Sequence, residues 1–393
     1  MKTNNNIPAY RFQGYTDAWE LRPLGEIGNT YTGLSGKTKD DFGHGDGRFV
    51  TYMNVFSNPI SLPEMVEAVE IDESQNTVRY GDVLFTTSSE TPEEVGMSSV
   101  WLENTENTYL NSFCFGFRPV KKVNPYYLAY LLRSSGMRRK ISFLAQGISR
   151  YNISKTKMME LEISIPNENE QEVIGTFFST LDRHITLHQR KLDKLKEQKK
   201  TYLKLLFPAK GQTQPALRFQ GFEDDWEEVK LGEVILKEIK GKAKSEMLGS
   251  AEVYLETEYL NGGTKSFVDC EKDVEEDDIL ILWDGSQAGM VYHGFSGALG
   301  STLKAYRPKE SGKFIYYQLV SQQNLIFEKY RTPNIPHVIK TFTDEFRIFY
   351  SSLPEQEAIG TFFQTLDQAI AQVEDKLASL KEMKKTLLRK LFV

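Results

Sequence analysis

The chain has 393 residues, 40% hydrophobic and 26% charged, with a formal net charge of −6. That length allows two domains with a core each, and the net acidity excludes a uniformly basic nucleic-acid binder. No apolar run approaches the roughly 20 residues that span a bilayer, the opening MKTNNNIPAYRF shows no apolar leader, and the two cysteines, Cys114 and Cys270, read as reduced thiols of a cytoplasmic protein.

The first distinctive phrase is PAYRFQGYTDAWELRPLGEI (8–27). Further on, DFGHGDGRF (41–49) is glycine-rich but lacks the GxGxxG spacing, and reads as a loop. YGDVLFTTSSE (80–90) is an acid-led strand entering a polar loop, whose Thr86, Thr87, Ser88 and Ser89 hydroxyls suit phosphate or base edges. A merely solvated loop is the competing reading. SFCFGFRP (112–119) reads as a strand and NPYYLAYLLRS (124–134) as a helix opened by two tyrosines. Residues 138–157, RRKISFLAQGISRYNISKTK, hold six basic side chains and no acid. They read as a nucleic-acid patch or, more plainly, as an exposed helix and turn. ELEISIP (160–166) is a strand closed by Pro166.

A long helix follows. Ile174, Phe178, Leu181, Ile185, His188, Leu192, Leu195, Lys199, Tyr202 and Leu206 recur in alternating steps of four and three. A 3.5-residue period of this length marks a coiled coil. Over about 37 residues it predicts a rod of about 55 Å. Lys199 interrupts the stripe and is expected to snorkel or to meet an acid of a partner helix. His184 and His188 share a face; a register-fixing polar residue is a simpler reading of His188 than a metal ligand.

After FPAKGQTQPA (207–216), read as a linker, the chain begins again. PALRFQGFEDDWEEVKLGEV (215–234) repeats the opening phrase 207 positions on (215 − 8). The acidic EKDVEEDD (271–278) leads to a second variable region. EDDILILWDGSQAG (276–289), STLKAYRP (301–308), FIYYQLVSQQ (314–323) and YRTPNIP (330–336) repeat the order strand and loop, strand, Tyr-Tyr helix, Arg loop. The last is paired with GISRYNI (147–153) through a shared Asn-Ile. FRIFYSSLP (346–354) ends at Pro354, and EQEAIGTFFQTLD (355–367) repeats EQEVIGTFFSTLD (170–182) at an offset of 185 (355 − 170). The second stripe runs through Ile359, Phe363, Leu366, Ile370, Val373, Leu377 and Leu380, with Lys384 at the place of Lys199. The two stripes are expected to pair with each other, antiparallel; packing on their own domains, or pairing between molecules, are the alternatives.

Parallel frameworks with unlike loops point to two modules that read different features. Candidate DNA contacts are Lys37, Lys39, Thr86, Ser88, Ser89, Arg150, Tyr151, Asn152 and Lys155 in the first region. In the second they are Lys242, Lys244, Ser286, Gln287, Arg331, Asn334 and His337. Amides suit an adenine edge and guanidinium forks a guanine edge. No catalytic or metal-ligating residue is assigned. CxxC, HExxH and GxxxxGK[ST] are absent, and NPYY lacks the second proline and the cofactor loop of an amino-group methyltransferase.

The doubled opening motif, the doubled EQEVIGTFFSTLD/EQEAIGTFFQTLD helix motif and the segment GISRYNISKTKMMELEISIP together resemble the specificity subunits of type I restriction-modification systems, over residues 8 to 393. The resemblance implies an α+β architecture of two target recognition domains separated by two long antiparallel coiled-coil helices, a tandem repeat with pseudo-twofold symmetry. The corresponding segments are 1–166 (first recognition domain), 167–207 (first spacer helix), 208–354 (linker and second recognition domain) and 355–393 (second spacer helix). It implies a non-catalytic subunit that reads an asymmetric bipartite site in double-stranded DNA, one half-site per domain. It also implies two adenine methyltransferase subunits and two restriction subunits as partners, with S-adenosylmethionine, ATP and Mg bound by those partners rather than by this chain. A specificity-like scaffold or antirestriction partner, and a stand-alone DNA methyltransferase, are the alternatives.

Overall fold

A computed structural model of the chain describes residues 6–209 and 211–393. The first five residues, where a leader was sought, and Lys210, in the linker, lie outside the described residues. Contacts divide the chain into two units. One comprises the residues through His188 together with Lys376–Val393, the other Gln189–Asp375. The division falls inside two 38-residue helices, Glu168–Leu205 and Leu353–Lys390.

Each unit is built on one plan. In the first, strand Glu20–Pro23 of the opening motif pairs antiparallel with the closing strand Glu162–Ile165. A four-stranded antiparallel sheet has the order 28–32, 114–119, 83–86, 98–100. A second sheet places strand Phe42–Val50 between an antiparallel and a parallel neighbour. The second unit repeats all three sheets: Glu227–Lys230 with Arg347–Tyr350, then 235–240, 303–308, 279–282 and 291–292, then Leu248–Leu255 between its two neighbours. The central strands are buried along their whole length, Val83–Thr86 in one unit and Ile279–Leu282 in the other.

The glycine-rich 41–49 stretch is a correction. It is not a loop but most of a nine-residue strand, bulged between Phe42 and Gly47. Gly45 has φ +90° and a Cβ there would lie 2.7 Å from the Val69 carbonyl oxygen, so glycine is what lets the strand bulge against its neighbour.

The repeated helix phrase has a residue-by-residue explanation. Asn167 caps the first long helix by accepting from the Glu170 N–H at 2.9 Å. The Glu170 carboxylate, fully buried, accepts from Arg11 Nε and Nη2 at 2.7 and 2.8 Å and from Trp19 Nε1 at 3.2 Å. Glu355, equally buried, accepts from Arg218 at 2.7 and 2.8 Å and from Trp226 at 3.0 Å. The Arg and Trp of each opening motif therefore clasp the glutamate that begins each repeated phrase. Next in the phrase, Gln171 donates to the Pro166 carbonyl at 2.8 Å and Gln356 to the Ser351 carbonyl at 2.7 Å, tying each helix to the end of its closing strand. Gly175 and Gly360 give close approach. A Cβ on Gly175 would lie 2.7 Å from Tyr126 Cβ, and one on Gly360 would meet the Lys313 side chain.

The aspartates that end the phrase join three elements. Asp182 accepts from Tyr130 at 3.0 Å and pairs with Lys384 of the other long helix at 2.5 Å. Asp367 accepts from Tyr317 at 2.9 Å and pairs with Lys199 at 2.5 Å. Lys196 adds a pair with Glu374 at 2.6 Å. In both units the pairing runs in descending against ascending order, so the segments are antiparallel, and the two stripe-breaking lysines meet acids of the facing helix. Phe392 stacks on Phe178 in the first unit and Phe207 on Phe363 in the second. Ile174, Phe178, Leu181, Leu192, Ile359, Phe363, Ile370, Leu377 and Leu380 are buried, while Ile185, Leu195 and Leu366 are half-buried.

Three details differ from the sequence reading. Phe207 belongs to the second core, against Trp226 and Phe314, rather than to the linker. Pro354 sits in the first turn of the second helix, not before it, where its missing N–H costs nothing. The Tyr-Tyr pairing is out of register by three residues. Tyr317 matches Tyr130 by its bond to the helix aspartate, and Phe314 matches Tyr127 by its edge-to-face contact with the opening-motif tryptophan.

Candidate nucleic-acid interface

In the first unit the chain leaves the buried strand Val83–Thr86 into a polar loop. A hairpin from the basic segment is stitched to that loop. Ser88–Ser89 and Tyr151–Asn152 pair antiparallel, and Ile153 N–H donates to the Thr87 carbonyl at 3.0 Å. Gln146 and Asn152 exchange backbone hydrogen bonds at 2.9 and 2.8 Å, closing a turn over 147–151. Gly147 has φ +141°, and a Cβ there would lie 2.1 Å from the Arg150 carbonyl oxygen, so the turn demands glycine. Arg150 and Asn152 are exposed at this hairpin and Tyr151 is half-buried. A cavity of about 420 Å³ beneath it is lined by Tyr52, Met53, Ser88, Ser89, Glu94 and Arg150.

The second unit makes an equivalent device from different residues. Val338 N–H donates to the Trp283 carbonyl at 2.9 Å and Gly285 N–H to the Pro336 carbonyl at 3.0 Å. Thr332 N–H donates to the His337 carbonyl at 3.0 Å, closing a hairpin whose tip is Pro333, Asn334 and Ile335. Arg331 donates to the Ser286 carbonyl at 3.2 Å and lies over the Phe327 ring at 5.2 Å. Ser286, Gln287 and Asn334 are exposed. His337 Nδ1 lies 3.0 Å from both the Ile335 carbonyl oxygen and the Thr332 hydroxyl.

These contacts revise the pairing of the two loops. Ile153 and Val338 are the equivalent buried residues, each donating to the loop after the central strand. The Asn-Ile of YRTPNIP is therefore not the Asn-Ile of GISRYNI: Ile153 is buried and Ile335 is exposed.

The remaining candidates are placed differently. Thr86 is fully buried, with its hydroxyl accepting from the Met97 N–H at 3.0 Å. Ser88 and Ser89 are buried by the strand pair, and Ser89 donates to Glu94 at 3.2 Å. Lys37 pairs with Asp72 at 2.8 Å, while Lys39 is exposed in a short turn of helix, Lys39–Asp41. Lys155 opens the helix Lys155–Met159 with its ammonium 5.7 Å from the Phe115 ring centre. Lys242 and Lys244 are exposed on either side of buried Ala243, away from the 330–338 hairpin in sequence and in its hydrogen bonding.

The basic run is partly structural. Arg138 donates to the carbonyls of Gly96, Glu93 and Val95 at 2.7, 2.8 and 2.6 Å, and burial pushes its guanidinium down to about 10. It braces the loop that faces the hairpin. Asn124 is a helix cap, accepting from the Tyr127 N–H at 3.1 Å, and not part of a base-holding motif. His188 Nδ1 lies 2.8 Å from its own helix's His184 carbonyl. Among the described residues no three His, Cys, Asp or Glu side chains gather as a metal site, and no helix is long and apolar enough to cross a membrane. Cys114 and Cys270 are free thiols.

The sequence reading missed the two most exposed apolar residues of the hairpins, Ile148 and Ile335. The signal was present as an isoleucine beside glycine in one loop and between prolines in the other, where neither helical nor strand periodicity offers it a core.

Comparison with known proteins bears on the whole arrangement. The type I restriction modification DNA specificity domain matches residues 16–197 and 223–382. The MjaVIII type I restriction enzyme specificity subunit of Methanocaldococcus jannaschii is 33% identical over a match covering 43% of this chain and 42% of that one. The StySPI specificity subunit of Salmonella potsdam is 23% identical, covering 68% and 61%. The chain thus spans about two fifths to three fifths of these relatives. Among solved structures, the type I restriction-modification S subunit from M. genitalium superposes with a TM-score of 0.70 at 20% identity, covering 98% of this chain and 99% of that one.

Proposed function

Since the chain belongs to the family of type I restriction-modification DNA specificity domains, carried twice, we propose that it is the sequence-reading subunit of such a system. Each unit reads one part of an asymmetric two-part site in double-stranded DNA, and the chain itself performs no catalysis. The observation that carries this is the pair of hairpins. Both are stitched to the same place on the same fold, yet Arg150, Tyr151 and Asn152 present one surface and Ser286, Gln287, Arg331 and Asn334 another. A platform shared by both units, with unlike polar tips, is what reading two different sequences requires.

Phosphate contacts would come from Lys155, which follows the first hairpin, and from exposed lysines elsewhere on each unit, Lys39 in the first and Lys242 and Lys244 in the second. Two adenine methyltransferase subunits using S-adenosylmethionine dock on the long helices, and two ATP- and Mg-dependent restriction subunits complete the complex in the cytoplasm. The test is the host's adenine methylation pattern with the gene present and deleted. The expected result is the loss of one asymmetric, interrupted motif on deletion. An unchanged methylome overturns the proposal.

A further inference from the structure

Ile148 is 95% exposed and Ile335 78% exposed. Large aliphatic side chains so fully in water are ordinary when scattered. These two are not scattered. They sit on two hairpin tips that the structure makes equivalent through Ile153 and Val338, although the tips share neither length nor sequence. Both tips are held rigidly, one by the Gly147 turn and the Gln146–Asn152 bonds, the other by Thr332, His337 and two prolines. Each rigid tip therefore presents one apolar group within four residues of polar, base-capable side chains: Arg150 and Asn152 on one, Asn334 and His337 on the other.

We propose that Ile148 and Ile335 are specificity-determining residues that contact the 5-methyl group of thymine, each in its own half-site. The inference rests on the DNA-reading function proposed above. On the major-groove edge of the base pairs, the thymine methyl is the one apolar feature, and side chains without hydrogen-bonding groups read it by contact. Arginine and asparagine supply the hydrogen-bond part of the readout; an isoleucine supplies what they lack. The isoleucines need no partner within the fold, so their replacement leaves the platform intact.

The experiment uses the full chain in complex with its methyltransferase subunits and a duplex carrying the methylation motif. Each thymine is replaced in turn by uracil, which differs only by the missing methyl. The expected result is about a tenfold loss of affinity for one uracil position in one half-site. Ile148→Ser should show the same loss on the unmodified duplex and no further loss with that uracil. Ile335→Ser should behave alike for the other half-site. Wild-type complex indifferent to every uracil, or variants that keep their sensitivity to it, overturns the proposal. So does a loss spread evenly over all sequences, or enhanced 2-aminopurine fluorescence that depends on the isoleucines, since that marks a wedge between base steps. A variant that binds DNA normally but fails to hold the methyltransferase also overturns it. Failure of the underlying function looks different: the wild-type complex then selects no motif at all.

Discussion

Glu170→Ala tests how the opening motif holds the long helix. The carboxylate is fully buried and receives three donors, Arg11 twice and Trp19 once. Truncation removes all three bonds. It leaves a guanidinium that is only 10% exposed facing a void, and an indole N–H without its acceptor. Breaking one side of a buried pair costs about 3–5 kcal/mol, mainly because the surviving charge stays desolvated. Glu170→Ala should therefore destabilise the first unit by about 3–5 kcal/mol. The double variant Arg11→Met/Glu170→Leu removes both charges and should recover most of that, leaving about 1–2 kcal/mol for the unpaired indole N–H. Urea unfolding followed by tryptophan fluorescence measures each value, and the cycle of wild type, Arg11→Met, Glu170→Leu and their double variant isolates the coupling. A cost below about 1 kcal/mol for Glu170→Ala, or a double variant as unstable as the sum of the singles, refutes the clasp as a desolvated ion pair.

Gly175→Ala places a Cβ 2.7 Å from Tyr126 Cβ and 2.9 Å from the Tyr127 nitrogen; overpacking of this kind should cost about 1–3 kcal/mol, whereas Gly360→Ala, which meets only the flexible Lys313 side chain, should cost less, both read as shifts in urea midpoint. In a double-mutant cycle, Asp182→Ala and Lys384→Ala should couple by about 1 kcal/mol, and Tyr130→Phe should cost about 1 kcal/mol through the same aspartate. Asp72 is held below the usual carboxylate range, first by the Lys37 ammonium and then by Ser74. Because its folded pKa lies below the unfolded one, its contribution is complete above about pH 4 and lost as pH falls further. Asp72→Asn should accordingly flatten the acid limb of the stability–pH curve and leave the neutral region shifted by a constant amount.

The parts legible in the sequence are those written in long periods. Ten stripe positions in steps of four and three leave no doubt about a helix, and of the two roles the sequence offered Lys199 and Lys384, snorkelling or meeting an acid of a partner helix, the second holds, with Asp367 and Asp182. The strands around Val83–Thr86 and Ile279–Leu282 were legible as apolar runs led by an acid, and Asp82 and Asp278 prove to be buried partners of Arg118 and Arg307. Short matches misled. The Tyr-Tyr and Asn-Ile dipeptides each set the two halves three residues out of register, because a helix turn or a two-residue coincidence weighs little against the buried contacts of Tyr317 and Val338. Thr86 was chosen for its hydroxyl, but the strand's end is still inside the core, where the Met97 N–H uses that hydroxyl. Nothing in the sequence singles out Glu170 from the other acids around it; only the return of Arg11 and Trp19 across more than 150 residues reveals its place.

On the function proposed above, each unit reads one part of the site by itself. Replacing the residues through Pro166 with those of a relative of different specificity, and sequencing the adenine methylome of cells carrying the hybrid, tests it most directly. The expected motif has one half changed and the other half retained. A motif altered in both halves, or in neither, would contradict it.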